Sequence, residues 1–300
     1  MIQFGIDLGG TKIEILAIDS DGKCLLNQRV DTPKNDYSAT LECIKKLVIN
    51  AEQRLSTQAN IGICTPGSLS RISGLLRNSN STCLNNMPFK QDLEHSLNRE
   101  IRISNDANCF ALSEAIDGIA VDADIIFGVI IGTGCGAGIV INKQIINGPN
   151  SISGEWGHNP LPWPDSEEIN GPECWCGKKG CIETFISGTG FSKDYTKYTG
   201  LKKSGEQIVS AAIAGDRLSQ DALARYERRL AKSLAHVINI LDPDMIVLGG
   251  GMSNIQSLYE NVPKLWNEYV FSDTVMTQLA SPKYGDASGV RGAARLWNQA

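Results

Sequence analysis

Two stretches of this chain can be laid one over the other: Phe4-Gly-Ile-Asp-Leu-Gly-Gly-Thr-Lys-Ile-Glu-Ile-Leu-Ala-Ile-Asp19 and Phe127-Gly-Val-Ile-Ile-Gly-Thr-Gly-Cys-Gly-Ala-Gly-Ile-Val-Ile-Asn142. Each is a β-branched run, a glycine turn and a second β-branched run, the pattern of a hairpin. After the first copy a third run, 23–30, follows Asp21-Gly22, so the chain opens as a three-strand meander. Each copy then gives way to alternating helical and strand periodicity. In the first half this predicts helices over 37–55, 91–97 and 107–117 and strands over 60–64 and 101–104; in the second, helices over 205–214, 216–241 and 257–269 and a strand over 245–248. A mixed α/β pattern that occurs twice predicts two α/β lobes, 1–118 with 290–300 and 119–289, and a ligand cleft between them. The stretch 290–297 is expected to return to the first lobe as a helix.

With 300 residues, 42% of them hydrophobic and 20% charged, the chain can bury the cores of two packed domains. A formal net charge of -5 and the lack of a long basic run argue against nucleic acid or an anionic membrane as partner. The longest uncharged stretch, 125–142, approaches the length of a membrane span, but glycines at 128, 132, 134, 136 and 138 interrupt it, and it reads as two strands around a turn. Asp7 breaks the first apolar run and no basic stretch precedes it, so no signal peptide is expected, and the cysteines are expected to stay reduced in the cytoplasm.

Asp7-Leu-Gly-Gly-Thr-Lys12 sets a carboxylate at a strand end beside Gly9 and Gly10, whose backbone N–H groups can approach phosphate oxygens closely. Asp7 is expected to hold magnesium through water, Thr11 to donate its hydroxyl and Lys12 to add charge. The alternative is a structural turn with Lys12 solvated. The second hairpin, with Gly132, Thr133, Gly134 and Gly136, would be a second cradle, and two cradles from two lobes can grip one nucleotide's phosphate tail and exclude water on closure. Neither is a P-loop, which needs Gly-Lys followed by Ser or Thr, and neither opens a helix as a dinucleotide fingerprint does.

From Gly154 the chain reads Gly-Glu155-Trp-Gly-His158 and later Cys174-Trp-Cys176-Gly-Lys-Lys-Gly-Cys181-Ile-Glu183. His158, Cys174, Cys176 and Cys181 form the donor set of a closed, structural zinc site, because thiolates satisfy zinc without leaving a position for catalytic water. Gly177 and Gly180 permit the tight backbone such a site needs. The metal would fix where Glu155 and Glu183 point. A Cys-x-Cys redox couple and a chance grouping of cysteines remain as alternatives; a nucleic-acid zinc knuckle is disfavoured by the acidity.

Together, the two hairpins, Ser104-Asn-Asp-Ala-Asn108, Glu155-Trp-Gly-His158 and the cysteine segment resemble the ROK family of bacterial sugar kinases and repressors over nearly the whole chain. The runs 77–82, 105–109, 130–138, 154–163 and 181–191 most resemble its fructokinase branch, whose members also take mannose. The resemblance implies an actin-like, ribonuclease-H-like two-lobe fold and transfer of the ATP γ-phosphate to a hexose hydroxyl, O6 of fructose, with magnesium and a structural zinc. A cytoplasmic homodimer is implied as well. Glucokinase and N-acetylhexosamine kinase are the alternatives within the family. A repressor is disfavoured, since with Asp7 already in the hairpin no room precedes it for a DNA-binding domain.

Residue by residue, the resemblance makes Asp106 the base that takes the proton of the sugar hydroxyl. The competing role for Asp106 is the N-cap of a helix starting at Ala107. Asn105, Glu155, His158 and Glu183 are implied sugar ligands, His158 using one ring nitrogen for zinc and the other for the sugar. Asn80, with Asn78, is expected to contribute from the first lobe. Nucleotide contacts are implied at Gly5, Asp7, Gly9, Gly10, Thr11, Lys12, Gly132, Thr133, Gly134 and Gly136. On the adenosine side they are implied at Gly249 and Gly250, in the run Asp242-Pro-Asp-Met-Ile-Val-Leu-Gly-Gly-Gly251. One departure is Cys64, which stands where the family usually has glycine and is expected to crowd the sugar pocket. Tryptophans 163, 175, 266 and 297 and histidines 95 and 236 read as packing or surface residues.

Overall fold

The computed structural model describes residues 1–79 and 81–299. Strands β1 (Gln3–Leu8), β2 (Lys12–Ile18) and β3 (Cys24–Asp31) form an antiparallel meander. They are followed by β4 (Asn60–Thr65), a small ribbon of β5 (Ser68–Leu69) and β6 (Leu76–Arg77), and β7 (Ile101–Asn105). The first sheet has the order β3-β2-β1-β4-β7, with β4 parallel to β1 and β7. The second, from β8 (Ile125–Ile131), β9 (Cys135–Ile141), β10 (Gln144–Ile145), β11 (Met245–Gly249) and β12 (Gln278–Ala280), has the order β10-β9-β8-β11-β12, with β11 parallel to β8 and β12. The likeness between the glycine hairpins is therefore a duplication of whole-sheet topology. This is the ribonuclease-H-like plan of the actin-like, two-lobe ATPases.

The chain divides into two compact units, Met1–Asp122 with Gly138–Ser153 and Asp286–Ala300, and Ala123–Ala137 with Gly154–Gly285. The helices are α1 (Tyr37–Leu55), α2 (Phe89–Leu97), α3 (Asp106–Ile116), α4 (Glu183–Ile186), α5 (Gly188–Thr199), α6 (Gly205–Ile213), α7 (Arg217–Leu241), α8 (Ser257–Trp266) and α9 (Ser288–Ala294). No helix among the described residues is long and apolar enough to cross a membrane.

Local chemistry sets the helix ends. Asp36 opens α1 by accepting from the Ala39 N–H, and Ser56 closes it in the left-handed region. Its buried residues, Thr40, Ile44, Leu47, Val48 and Ala51, recur every three or four positions, so one stripe faces the sheet. Asp216 and Asp242 do the same for α7. The unforeseen helix α5 starts with Gly188-Thr-Gly190, poor helix formers, and is nucleated by the Ser187 hydroxyl accepting from Gly190 N–H at 3.0 Å. Strand β12 also escaped the sequence reading, being only three residues long.

The first sheet is covered on both sides, which is why β2 is buried almost throughout. Alternation sorts its residues: Ile13, Ile15 and Ala17 join Phe4, Ile6, Ile44 and Leu47 in the core under α1, while Leu16 and Ile18 pack with Val290 and Ala294 of α9. Backbone there meets backbone. A Cβ on Gly5 would lie 2.0 Å from the Val290 carbonyl, one on Gly62 would lie 1.8 Å from the Ala293 carbonyl, and one on Gly292 would lie 1.7 Å from the Cys109 carbonyl of α3. Gly5 and Gly62 are register partners, so the two strands offer α9 one flat patch. Gly5, one of the expected nucleotide contacts, is thus packed under α9.

Gly62→Ala is expected to lower stability by about 3 kcal/mol or more, since the added methyl must displace a helix. Gly251→Ala, where a Cβ meets nothing within 4 Å, should be near neutral. Urea unfolding of the two variants checks this.

Candidate active site

In the first unit the meander delivers Asp7 near the end of β1, beside a tight turn in which Gly9 N–H donates to the Lys12 carbonyl at 3.0 Å. A Cβ on Gly9 would come within 2.9 Å of that oxygen, so only glycine closes this turn without strain. Thr32 braces it from the end of β3, its hydroxyl donating to the Gly9 carbonyl and its N–H to the Thr11 carbonyl. Gly10 and Thr11 are left exposed at the tip. Lys12 is paired with Asp31, both well exposed, so its charge is spent on a solvated ion pair of little energetic worth.

Asp7 lies opposite Glu14 of β2, which lies opposite Arg29 of β3, giving a row of charges across three strands. Glu14 is buried and accepts from Asn27 Nδ2 at 2.9 Å and from the Arg29 guanidinium. Burial pushes the Asp7 carboxyl up to about 6, the Cys64 hydrogen bond works against that, and the nearby Asp106 and Glu14 charges add to it. Such a carboxylate gains from a cation beside it. Cys64, expected to crowd a sugar pocket, is instead 1% exposed with its thiol on Asp7, the Sγ to Oδ1 distance being 3.3 Å.

Strand β7 runs directly into α3, and the junction assigns two neighbours different tasks. Asn105 is the N-cap, its Oδ1 accepting from Asn108 N–H at 2.8 Å. Asp106, the first helical residue, accepts from Ala107 N–H at 2.8 Å through Oδ1 and is exposed. The capping role weighed for Asp106 therefore belongs to Asn105, whose amide oxygen is committed to the backbone. Asn78 takes a left-handed φ of 59° on the loop against Gly67, where a Cβ would meet the Arg77 carbonyl at 2.3 Å. Asn80 lies outside the described residues.

In the second unit the cysteine segment folds on itself through tight backbone bonds. Cys174 N–H donates to Lys178, Gly177 N–H to Cys174 and Gly180 N–H to Pro172, with φ of 86° at Gly177 and 70° at Gly180. The ligand atoms of His158, Cys174, Cys176 and Cys181 lie within 4.8 Å of one another. Cys174 Sγ is 3.5 Å from His158 Nδ1, and the Cys176 and Cys181 sulfurs are 3.6 Å apart. A tetrahedron with Zn–S of about 2.3 Å and Zn–N of about 2.0 Å has edges of roughly 3.5 to 3.8 Å, which those two separations match. Using Nδ1 in the cluster leaves His158 Nε2 for another partner. Glu155 is exposed just before the short 3₁₀ turn Trp156–His158.

Glu183, the first residue of α4, has both oxygens engaged: Oε2 accepts from Cys135 N–H and Oε1 from the Trp175 indole, each at 2.8 Å. Trp175 also meets the His158 ring edge to face, centroids 4.9 Å apart. This tryptophan is therefore no idle surface residue, although a lone aromatic between two cysteines gave no signal of it. The second hairpin is closed by Gly132 N–H on the Gly134 carbonyl and tied to α5 by Gly188 N–H on the Gly132 carbonyl. A Cβ on Gly134 would come within 2.8 Å of Glu183 Oε2, whereas one on Gly132 would meet nothing. Gly136 follows on β9.

A cavity of about 1300 Å³ opens beside this hairpin, lined by Gly132, Thr133, Thr189, Lys193, Gly205, Gln207, Gly251 and Met252 among others. Gly249 and Gly250, expected on its wall, are displaced by one step. Gly249 is a buried strand residue, and Gly250 makes the turn, at φ 78° with the Ile131 carbonyl 2.5 Å from any Cβ. The turn presents Gly251 and Met252 instead. The contribution of α5 was missed because α5 itself was missed, the Ser187 cap before Gly188-Thr-Gly190 being the available clue; α6 was expected as a helix over 205–214 but not as a cavity wall.

The ROK family model matches residues 3–300. An N-acetyl-D-glucosamine kinase of Vibrio vulnificus is 37% identical over 301 residues, covering 98% of this chain and 99% of its own. Among solved structures, a ROK hexokinase from Thermus thermophilus superposes with a TM-score of 0.88 at 28% identity, covering 98% of this chain and 97% of its own. A ROK family glucokinase from Streptomyces griseus, solved in complex with glucose and AMPPNP, gives 0.78 at 25% identity with 99% of each chain covered. With the duplicated sheets, both glycine hairpins and the His-Cys cluster in place, the match over nearly every residue makes this chain a member of the ROK family.

Proposed function

We propose that this chain, an ATP-dependent sugar kinase, phosphorylates the 6-hydroxyl of an N-acetylhexosamine, with N-acetyl-D-glucosamine its preferred substrate. What supports the amino sugar over the fructose expected from the branch resemblance is the full-length likeness, at 37% identity, to an N-acetyl-D-glucosamine kinase. Fructose is the second reading, favoured by the runs 154–163 and 181–191.

The observation that carries phosphoryl transfer is the division of labour at the head of α3. Because Asn105 takes the cap, the Asp106 carboxylate stands exposed on the first turn of α3 without serving as the helix cap. A sugar hydroxyl is a poor nucleophile, and such a carboxylate accepts its proton as the γ-phosphoryl group arrives. The exposed Gly10-Thr11 tip of the turn offers backbone N–H groups and a hydroxyl to phosphate oxygens. Asp7 is the residue suited to hold hydrated magnesium, which when bound with the nucleotide supplies charge neutralisation. The cavity of the second unit has the size for a nucleoside, with Gly132 and Thr133 suited to its phosphates.

Sugar hydroxyls are matched by His158 Nε2, Glu155 and Glu183, whose placement follows from the His158, Cys174, Cys176 and Cys181 set. Zinc in that set supplies cohesion to a loop that has little apolar core of its own.

With a panel of hexoses and ATP, kcat/KM for N-acetyl-D-glucosamine is expected to exceed that for fructose at least tenfold by ADP release; turnover of no hexose would remove the kinase reading. Asp106→Asn should keep fold and metal content while lowering kcat by roughly 10²–10⁴-fold. Cys176→Ser should lose the metal, seen by elemental analysis, and render the segment 154–183 sensitive to protease. A wild-type protein purified without chelator and free of zinc would sink the structural-metal account.

A further inference from the structure

We infer that Trp175 is a positioning residue that couples the metal-ligating segment to Glu183 and, through it, to the glycine hairpin of the second unit. The residue is 75% exposed, a costly location for an indole unless the ring has work at its edge. Its two polar and aromatic contacts both reach functional neighbours. The Nε1–H donates to Glu183 Oε1 at 2.8 Å, and the ring meets His158 edge to face at an interplanar angle of 85°.

The sequence position explains the coupling. Trp175 lies between Cys174 and Cys176, so a metal bound by both thiolates pins the backbone on either side of the indole. The Gly177 N–H to Cys174 carbonyl bond completes that turn. From the indole the path continues through the Glu183 carboxylate, whose other oxygen accepts from Cys135 N–H. There is little slack at the far end, since a Cβ on Gly134 would come within 2.8 Å of Glu183 Oε2. Glu183 is thus held between one donor from the metal segment and one from the hairpin, and losing either frees the carboxylate to rotate. That the sugar feels this rests on the proposed role of Glu183; the link from Trp175 to Cys135 does not.

The test is Trp175→Phe, which keeps a ring against His158 and removes only the donor. Three measurements are compared with wild type: zinc per chain, hydrogen–deuterium exchange at the Cys135 amide, and hexose and ATP KM values. The coupling predicts unchanged zinc, Cys135 exchange about tenfold faster, hexose KM raised about tenfold and ATP KM within twofold. Unchanged Cys135 exchange with zinc retained would overturn the inference. So would loss of zinc, which would make Trp175 a support of the ligand set rather than a link beyond it. If the wild-type protein phosphorylates no hexose, the kinase reading fails while the exchange arm still decides the coupling.

Discussion

Direct contact between backbones, made possible by three glycines, governs the first unit. Gly5 and Gly62 on adjacent strands let α9 settle onto the sheet, and Gly292 lets α3 settle onto α9. The seat is locked by charge: Arg291 and Arg295 both donate to Asp117 at the end of α3, and Arg291 also reaches the Gly22 carbonyl. The arrangement matters beyond packing. It brings Gly289 so near β1 and β4 that a Cβ there would lie 3.6 Å from Cys64 Sγ and 3.7 Å from Asp7 Oδ2. The last helix of the chain therefore forms part of the surroundings of a carboxylate seven residues from the start.

Those surroundings are electrostatically unfavourable for a bare carboxylate. Burial, Asp106 and Glu14 all oppose ionisation of Asp7, and only the Cys64 thiol and the more distant Arg29 favour it. A cation beside it would favour the ionised form. Glu14 shows the contrasting solution, a buried carboxylate paired with the Arg29 guanidinium and hydrogen-bonded by the Asn27 amide within the fold.

Much of this was legible in the residues. The glycine hairpins announced the duplication because a β-branched run broken by glycines has few other structures available. Helices α1 and α7 were visible from apolar spacing and from their Asp caps. The grouping of His158 with Cys174, Cys176 and Cys181 was visible from their spacing along the chain. Less legible was anything decided by the partner across space: Gly5 looks the same whether it faces phosphate or a helix, and Cys64 turns toward Asp7 for reasons located on another strand. Helix α5 was hidden because its start is written in glycines, and the second unit's cavity wall went with it. Trp175 could not be read at all, as its value lies in a carboxylate eight residues on.

The two sheets share one plan of strands but not one plan of connections. After β3 the chain reaches α1 through 32–36, whereas after β10 it wanders through 146–182 before α4. That excursion folds on itself through backbone bonds such as Cys174 N–H to the Lys178 carbonyl, and it is seated on the second sheet, where the buried Trp156 meets Phe127 of β8 edge to face with centroids 5.4 Å apart. A repeated scaffold that keeps its architecture in strands can carry an insertion as long as this one at a single crossover without a change in strand order.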